Sequence, residues 1–283
     1  IYDAFDKIRY ANDYKPLRIL DGTAGTGSIS RMFIPFAKEL HVNDNEYYAH
    51  ILNRTYVDIP DNDMRMITQL HMDNMNYIAT HGPFVTDGPI QKKYSPKDTQ
   101  NIQKGEPCFF TRENAIILDT LKEYVVKNII VAHMYVYLGA IIRAALKHAN
   151  IEDGHFQKYR KDKNGYGTFF VDNETKQPYK NVMDVIQLEM PEWYDTEVDC
   201  KINFYNKNIL ELIKEFDNNS LDVIFLDPPV NNQVHYRKHY KILNELARTR
   251  KTMKLKDMPP HSNLLYERES AIMAFTNFIK IAL

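Results

Sequence analysis

Cysteine is nearly missing from this chain: Cys108 and Cys200 stand alone, far apart, and form no C-x-x-C pair. That excludes a disulfide framework and a zinc-finger pattern, and it fits a reducing cytoplasm, the expected location. Charge of one sign is missing too. Lysine plus arginine (36) nearly balance aspartate plus glutamate (37) for a net charge of -1, so no global positive field advertises a nucleic acid and any such surface must be local. Long apolar runs are lacking: the longest, Asn128 to Ala145, is interrupted by His133 and Arg143, which suits a buried helix and not a membrane span. There is no fixed-period repeat, no low-complexity tract, and no charged-then-apolar leader at the start. An opening inside a helical pattern and an apolar end at Phe278 to Leu283 read as trimmed termini.

What is present is a soluble-protein composition over 283 residues, enough for one large α/β domain with an insertion or for two smaller domains. The stretch Leu221 to Val230 starts as a short apolar run, read as a buried strand, and stops at Asp227-Pro228-Pro229. Each proline fixes its own φ, lacks an N–H and pushes the preceding residue out of the helical region. The result is a stiff strand exit carrying a carboxylate and two uncommitted carbonyl oxygens. Such acceptors suit a substrate that donates hydrogen bonds from an amino group. A plain strand ending in a Pro-Pro turn is the alternative.

Far upstream, Leu17 to Leu20 reads as a strand that runs into Asp21-Gly22-Thr23-Ala24-Gly25-Thr26-Gly27-Ser28, with a helix starting near Ser28. Strand, glycine-rich turn and helix open a nucleotide-binding βαβ unit. The spacing Gly22-x-x-Gly25-x-Gly27 is not the dinucleotide fingerprint, and no P-loop lysine follows, so a pyrophosphate cradle is disfavoured. The next strand, Glu39 to Asn43, ends at Asp44, near the offset at which an acid takes ribose hydroxyls. An adenosine ligand without a pyrophosphate satisfies both features, and S-adenosylmethionine is such a ligand. A glycine turn beside a surface Asp is the alternative.

Residues 47–76 read as helical, broken at Ile59-Pro60. Helical stretches follow at Glu113 to Val126 and Asn128 to His148, then a basic run Lys158-Tyr159-Arg160-Lys161-Asp162-Lys163 and a hairpin-like Asn164-Gly165. This segment does not continue the βα alternation and reads as an insertion over residues 82–198. It is flanked by residues 1–81 and 199–283 as two parts of one catalytic, cofactor-binding domain. The strand at Lys201 to Tyr205, a polar turn through Asn208 and a helix from Ile209 to Phe216 resume the alternation. A second basic run, Arg248 to Lys251, either neutralises phosphates or is a solvated face.

In this order, Asp21-x-x-Ala24-Gly25-Thr26-Gly27, Asp44, Asn208-Ile209-Leu210, Asp227-Pro228-Pro229 and Asn231-Asn232-Gln233 resemble the adenine-specific DNA methyltransferases of the Dam-like class. The resemblance covers most of the chain and is most specific in the two motifs and their order. It implies an α/β fold, a Rossmann-like, mostly parallel sheet with an inserted, largely helical target-recognition domain. It implies methyl transfer from S-adenosylmethionine to the N6 amine of a flipped-out adenine in double-stranded DNA. Asp227, Pro228, Pro229 and Val230 would form the catalytic motif. Asp21, Gly22, Thr23, Ala24, Gly25, Gly27, Asp44, Asn208 and Asp227 would line the cofactor site. Lys158, Arg160, Lys161, Asn232, Arg237 and Lys238 are the expected DNA contacts. No metal is needed, no membrane is involved, and a cognate restriction endonuclease is a conceivable partner.

Two positions depart from the family. Val230 stands where an aromatic normally stacks on the flipped base, a contact worth roughly 1–3 kcal/mol, or about tenfold in capture. Thr23 also replaces a usual aromatic. Three alternatives remain open: a methyltransferase acting on RNA or a protein amide, a non-catalytic DNA-binding or cofactor-sensing subunit, and, least favoured, a dinucleotide-dependent oxidoreductase.

Overall fold

A computed structural model describes residues 2–152, 154, 156–193, 199–228 and 239–252. In chain order its elements are α1 (Tyr2–Ala11), β1 (Leu17–Asp21), α2 (Ser28–Phe33), β2 (Ala37–Asn43), α3 (Tyr47–Tyr56), α4 (Asn62–His81), α5 (Pro89–Tyr94), α6 (Arg112–Asn128), α7 (Met134–His148), β3 (Phe170–Asp172), β4 (Gln177–Pro178), β5 (Lys201–Tyr205), α8 (Ile209–Leu212), β6 (Val223–Phe225) and α9 (Lys241–Ala247). The described residues divide into two compact units.

The first unit holds residues 2–58, 193 and 199–228. Its sheet has the order β5-β2-β1-β6 and is parallel throughout. Side chains alternate between faces along a strand, so Ile224 and Phe225 point to opposite sides. Phe225 meets Phe33 of α2, ring centroids 5.9 Å apart. Ile224 packs with Leu20 against Ile209, Leu212 and Ile213, which come from α8 and the turn after it. Helices therefore cover both faces, and near-continuous apolar strands are the sequence signature of such a sheet. This is the Rossmann-like α/β arrangement. At the opposite end from the glycine turn, the Arg18 guanidinium forks Asp222, Nη2 to Oδ1 at 2.8 Å and Nε to Oδ2 at 3.2 Å, fixing the register of β1 against β6.

The chain runs outward from β1 to β2 and on to β5, then returns across the sheet to β6 on the other side of β1. The carboxyl ends of β1 and β6 thus flank the point where the strand order reverses. In open α/β sheets ligands bind in the crevice at that point.

The second unit holds residues 59–192, as far as described, and 239–252. It is largely helical. The helix α4 buries Thr68, Met72, Met75 and Ala79 and packs on α6 and α7, so it belongs here and not with residues 1–58. The boundaries differ accordingly from those read in the sequence: α4 and α9 both join the helical unit. A break at Ile129 and Ile130, both extended, and a short 3-10 turn from Val131 to His133 separate α6 from α7, where the sequence suggests one run from Asn128. Asn164-Gly165 is a turn: Gly165 has φ +82°, and Lys161 bridges Gly167 in antiparallel fashion.

The second basic run makes contacts within this unit. Arg250 donates to both oxygens of Glu123 at 3.2 Å, Lys251 Nζ reaches the Val126 carbonyl near the end of α6, and Arg248 Nε donates to Asn244 O at 3.0 Å. Cations placed at helix carboxyl ends are favoured by the helix dipole. No described helix is long and apolar enough to cross a membrane, and among the described residues no cluster of His, Cys, Asp or Glu has the makings of a metal site.

Candidate functional site

The turn after β1 is shaped by two glycines with positive φ, Gly25 at +56° and Gly27 at +82°. That region costs an L side chain roughly 1–2 kcal/mol, which is why glycine occupies it. The two positions differ in surroundings. A Cβ on Gly27 would sit 2.5 Å from Asn53 Oδ1, whereas a Cβ on Gly25 would meet no described residue within 4 Å. Among the described residues, the backbone at Gly25 therefore borders open space.

Four side chains hold this turn. Asp44 accepts the Gly25 N–H at 2.8 Å through Oδ2 and the Glu46 N–H at 2.8 Å through Oδ1. Asn53, in α3, donates to Gly25 O at 3.1 Å and to Ala49 O at 2.9 Å. Asn43 closes β2 by donating Nδ2 to Gly22 O at 2.9 Å and to Lys207 O at 3.1 Å, while its Oδ1 accepts the Lys207 N–H at 3.0 Å. Ser30 donates to Asp21 Oδ2 at 2.6 Å.

Burial governs the acids. Asp21 is fully buried, and desolvation, reinforced by the nearby charge of Asp227 and opposed by Ser30 and Thr23, pushes its carboxyl up to about 6. Desolvation also pushes Asp44 up to about 7 against the pull of its two backbone donors. His50 is held the other way, down to about 4, and its Nδ1 lies 3.1 Å from the Tyr205 carbonyl. A neutral ring donating to that carbonyl steadies the exit of β5.

Acceptors without donors gather along this edge. Asp21 Oδ1, Asn45 Oδ1, Asn53 Oδ1 and Asn206 Oδ1 are buried with no hydrogen-bond partner among the described residues. All four belong to residues at, just beyond or bonded to the carboxyl ends of β1, β2 and β5. Buried acceptors left this way cost about 1–3 kcal/mol each unless something donates to them.

The exit of β6 is tied to the same turn. Gly22 N–H donates to Phe225 O at 2.9 Å, and Asp227 N–H donates to Thr23 Oγ1 at 2.8 Å. The glycine turn and the backbone of the Asp227-Pro228 exit therefore meet at one end of the sheet.

No protein-family profile and no solved structure matches this chain. One curated protein does. The chain is 25% identical over 229 residues to the Type II methyltransferase M.NlaIII of Neisseria lactamica. The match takes in 79% of this chain but only 58% of that protein, so the chain spans well under two thirds of its relative's length.

The structure brings together Asp21, Gly22, Thr23, Ala24, Gly25, Gly27, Asp44, Asp227 and the buried Pro228. Asn208 lies at the neighbouring turn, where its Oδ1 accepts the Leu210 N–H at 2.9 Å as the cap of α8. The other catalytic and DNA-contact expectations near the motif, Pro229, Val230, Asn232, Arg237 and Lys238, lie outside the described residues. In the helical unit Lys158 and Lys161 are exposed. Arg160 is half-buried, stacked over Tyr179 at 4.2 Å and donating to Asn150 Oδ1 at 3.3 Å.

Sequence reasoning misses Asn43, Asn53, Asn45, Asn206 and Ser30. A signal exists for three of them: Asn43-Asp44-Asn45 and Asn206-Lys207-Asn208 place amides directly after two strands, where neither apolar packing nor strand propensity calls for them.

Proposed function

We propose that this chain is an S-adenosylmethionine-dependent DNA methyltransferase that modifies the exocyclic N6 amine of adenine in duplex DNA, of the restriction–modification or orphan type. The observation that carries the reading is the junction of the glycine turn with the Asp227-Pro228 exit at the reversal point of a parallel sheet. The similarity to a Type II methyltransferase supports it.

The residues present fit such a cofactor. Its α-ammonium, ribose hydroxyls and adenine amine are donors, and the turn's edge offers the buried unpartnered oxygens of Asp21, Asn45, Asn53 and Asn206. Buried acceptors without donors are a poor environment for an anion and a good one for a cation rich in N–H and O–H groups. Asp21 would hold the ammonium, Asp44 and its neighbours the ribose, and the side of the turn at Asn208 the adenine. Gly25 would let the ligand pass the backbone. When bound, the cofactor supplies a methyl group made electrophilic by a sulfonium.

The chain's own contribution is positioning. An amine on an aromatic ring is a weak nucleophile because its lone pair delocalises into the ring. Accepting hydrogen bonds at the Asp227 carboxylate and the Pro228 carbonyl favours a tetrahedral nitrogen whose lone pair points away from the base plane. This is orientation and electrostatics, with no covalent intermediate on the protein. Extrusion of the base from the duplex follows from the need to reach that amine. The helical unit would read the target, with Lys158, Arg160 and Lys161 contributing phosphate contacts, and Asn232, Arg237 and Lys238 doing so beside the catalytic motif.

The test is incubation of the chain, and of its Val230→Tyr variant, with methyl-labelled S-adenosylmethionine and mixed-sequence duplex DNA, followed by nucleoside analysis. Label in N6-methyl-2′-deoxyadenosine is the expected result. Label only in RNA or protein added in place of DNA would move the chain to the alternative substrate classes. Cofactor and DNA binding with no transfer by either protein would make it a non-catalytic subunit.

A further inference from the structure

A regular parallel ladder would continue past the Gly22 N–H to Phe225 O bond with the Asp227 N–H donating to Gly22 O. Here that carbonyl accepts from the Asn43 side chain at 2.9 Å instead, and the Asp227 N–H turns to the Thr23 hydroxyl at 2.8 Å. One side-chain bond therefore replaces the last rung and defines where the backbone of Asp227 sits. Asp227 is exposed, and the next residue, Pro228, has no N–H of its own to anchor. The main-chain tether of the carboxylate to the sheet thus passes through Thr23 Oγ1.

We propose that Thr23 is a positioning residue for Asp227, acting on the reacting end of the site and not as part of the cofactor wall. Its hydroxyl accepts from Asp227 and orients the carboxylate relative to the turn. A hydroxyl is required, and the methyl group contributes little. The effect on turnover rests on the methyl-transfer reading; the tether itself does not.

The experiment compares the wild-type chain with Thr23→Val, which keeps the shape and loses the acceptor, and Thr23→Ser, which keeps the acceptor. Two readouts are taken. The first is the hydrogen-exchange rate of the Asp227 amide by NMR, which needs neither cofactor nor DNA. The second is kcat for transfer to duplex DNA, set against the Kd of S-adenosylhomocysteine by calorimetry. Thr23→Val is expected to speed Asp227 exchange at least tenfold and to lower kcat about tenfold, with the Kd unchanged within twofold, and Thr23→Ser to restore both. Unchanged exchange in Thr23→Val overturns the proposal. So does a weakened Kd with kcat intact, which would make Thr23 a cofactor contact. If the wild-type chain transfers no methyl group, the functional reading fails, and the exchange measurement still decides the tether.

Discussion

Asn43 donates its side-chain amide to the Gly22 carbonyl at 2.9 Å, joining the end of β2 to the start of the glycine turn. The same amide group also reaches both main-chain polar groups of Lys207, donating to its carbonyl at 3.1 Å and accepting its N–H at 3.0 Å. A single buried side chain thus holds the two turns that flank the proposed cofactor site. Replacing Asn43 with Ala strips partners from three main-chain groups, and should cost on the order of 3 kcal/mol of stability. Urea unfolding measures that loss. Calorimetry on the folded variant should also find S-adenosylhomocysteine bound more weakly; an unchanged Kd would show that the clamp serves the fold alone.

Asp21 gives the site a pH dependence of definite sign. Its carboxyl is raised from 3.8 to about 6, so between those values the folded chain keeps a proton that the unfolded chain has released. The unfolded state then binds fewer protons, and stability falls as pH rises through the window and levels off above it. Asp44, raised to about 7, extends the fall by a further step. Binding of a cation runs the opposite way: affinity for S-adenosylmethionine should rise as pH increases through about 6, because the ionised Asp21 is the form that pairs with an ammonium. Asp21→Asn should flatten that rise and remove the Asp21 part of the stability slope. Paired pH series of thermal unfolding and calorimetry check both.

The two left-handed glycines separate packing from ligand passage. Gly27→Ala introduces backbone strain and presses a methyl group against Asn53, and should lose about 2–3 kcal/mol of stability. Gly25→Ala carries strain of about 1 kcal/mol but adds its methyl group to open space. The smaller stability loss at Gly25 should therefore accompany the larger loss of cofactor affinity. If both variants scale affinity with stability, nothing passes the backbone at Gly25.

Much of this arrangement is legible in the sequence, and the limits have physical causes. The strands at Leu17, Lys201 and Val223 and the turn at Gly25 are local patterns, apolar runs closed by glycine, proline or asparagine, and they lie where the residues put them. Membership of α4 and α9 in the helical unit is not local. It depends on which apolar faces meet, and an amphipathic helix does not name its partner. The role of Arg248 to Lys251 is ambiguous in the sequence for the same reason, since a basic run looks alike whether it meets phosphates or the carbonyl end of a helix. Asn43 and Asn53 escape notice because an asparagine at a strand end or inside a helix carries no sign of the carbonyl it reaches, and those carbonyls lie 21 and 28 residues away.

Lys158 and Lys161 are exposed cations of the helical unit, Lys161 with its ammonium 5.3 Å over the Tyr159 ring, whereas Arg160 is half-buried and engaged by Tyr179 and Asn150. Replacing Lys158 or Lys161 with Gln should weaken duplex binding without changing sequence preference, and lower the salt slope by about one for each phosphate left unneutralised. Arg160→Gln should weaken binding in the same way and lower stability as well, because it also gives up Tyr179 and Asn150. Fluorescence anisotropy across a salt series, beside thermal unfolding, distinguishes the two.

The most direct measurement is a sequencing map of methylated adenines in the DNA of cells that make this chain, its Val230→Tyr variant, or an Asp227→Asn variant. Losing the carboxylate that orients the amine should lower methylation by roughly 10²–10³-fold. The expected map shows modified adenines within one recurring short sequence, denser for Val230→Tyr and at background for Asp227→Asn. Modified adenines that persist without Asp227, or no modified adenine with either the wild-type chain or Val230→Tyr, would contradict it.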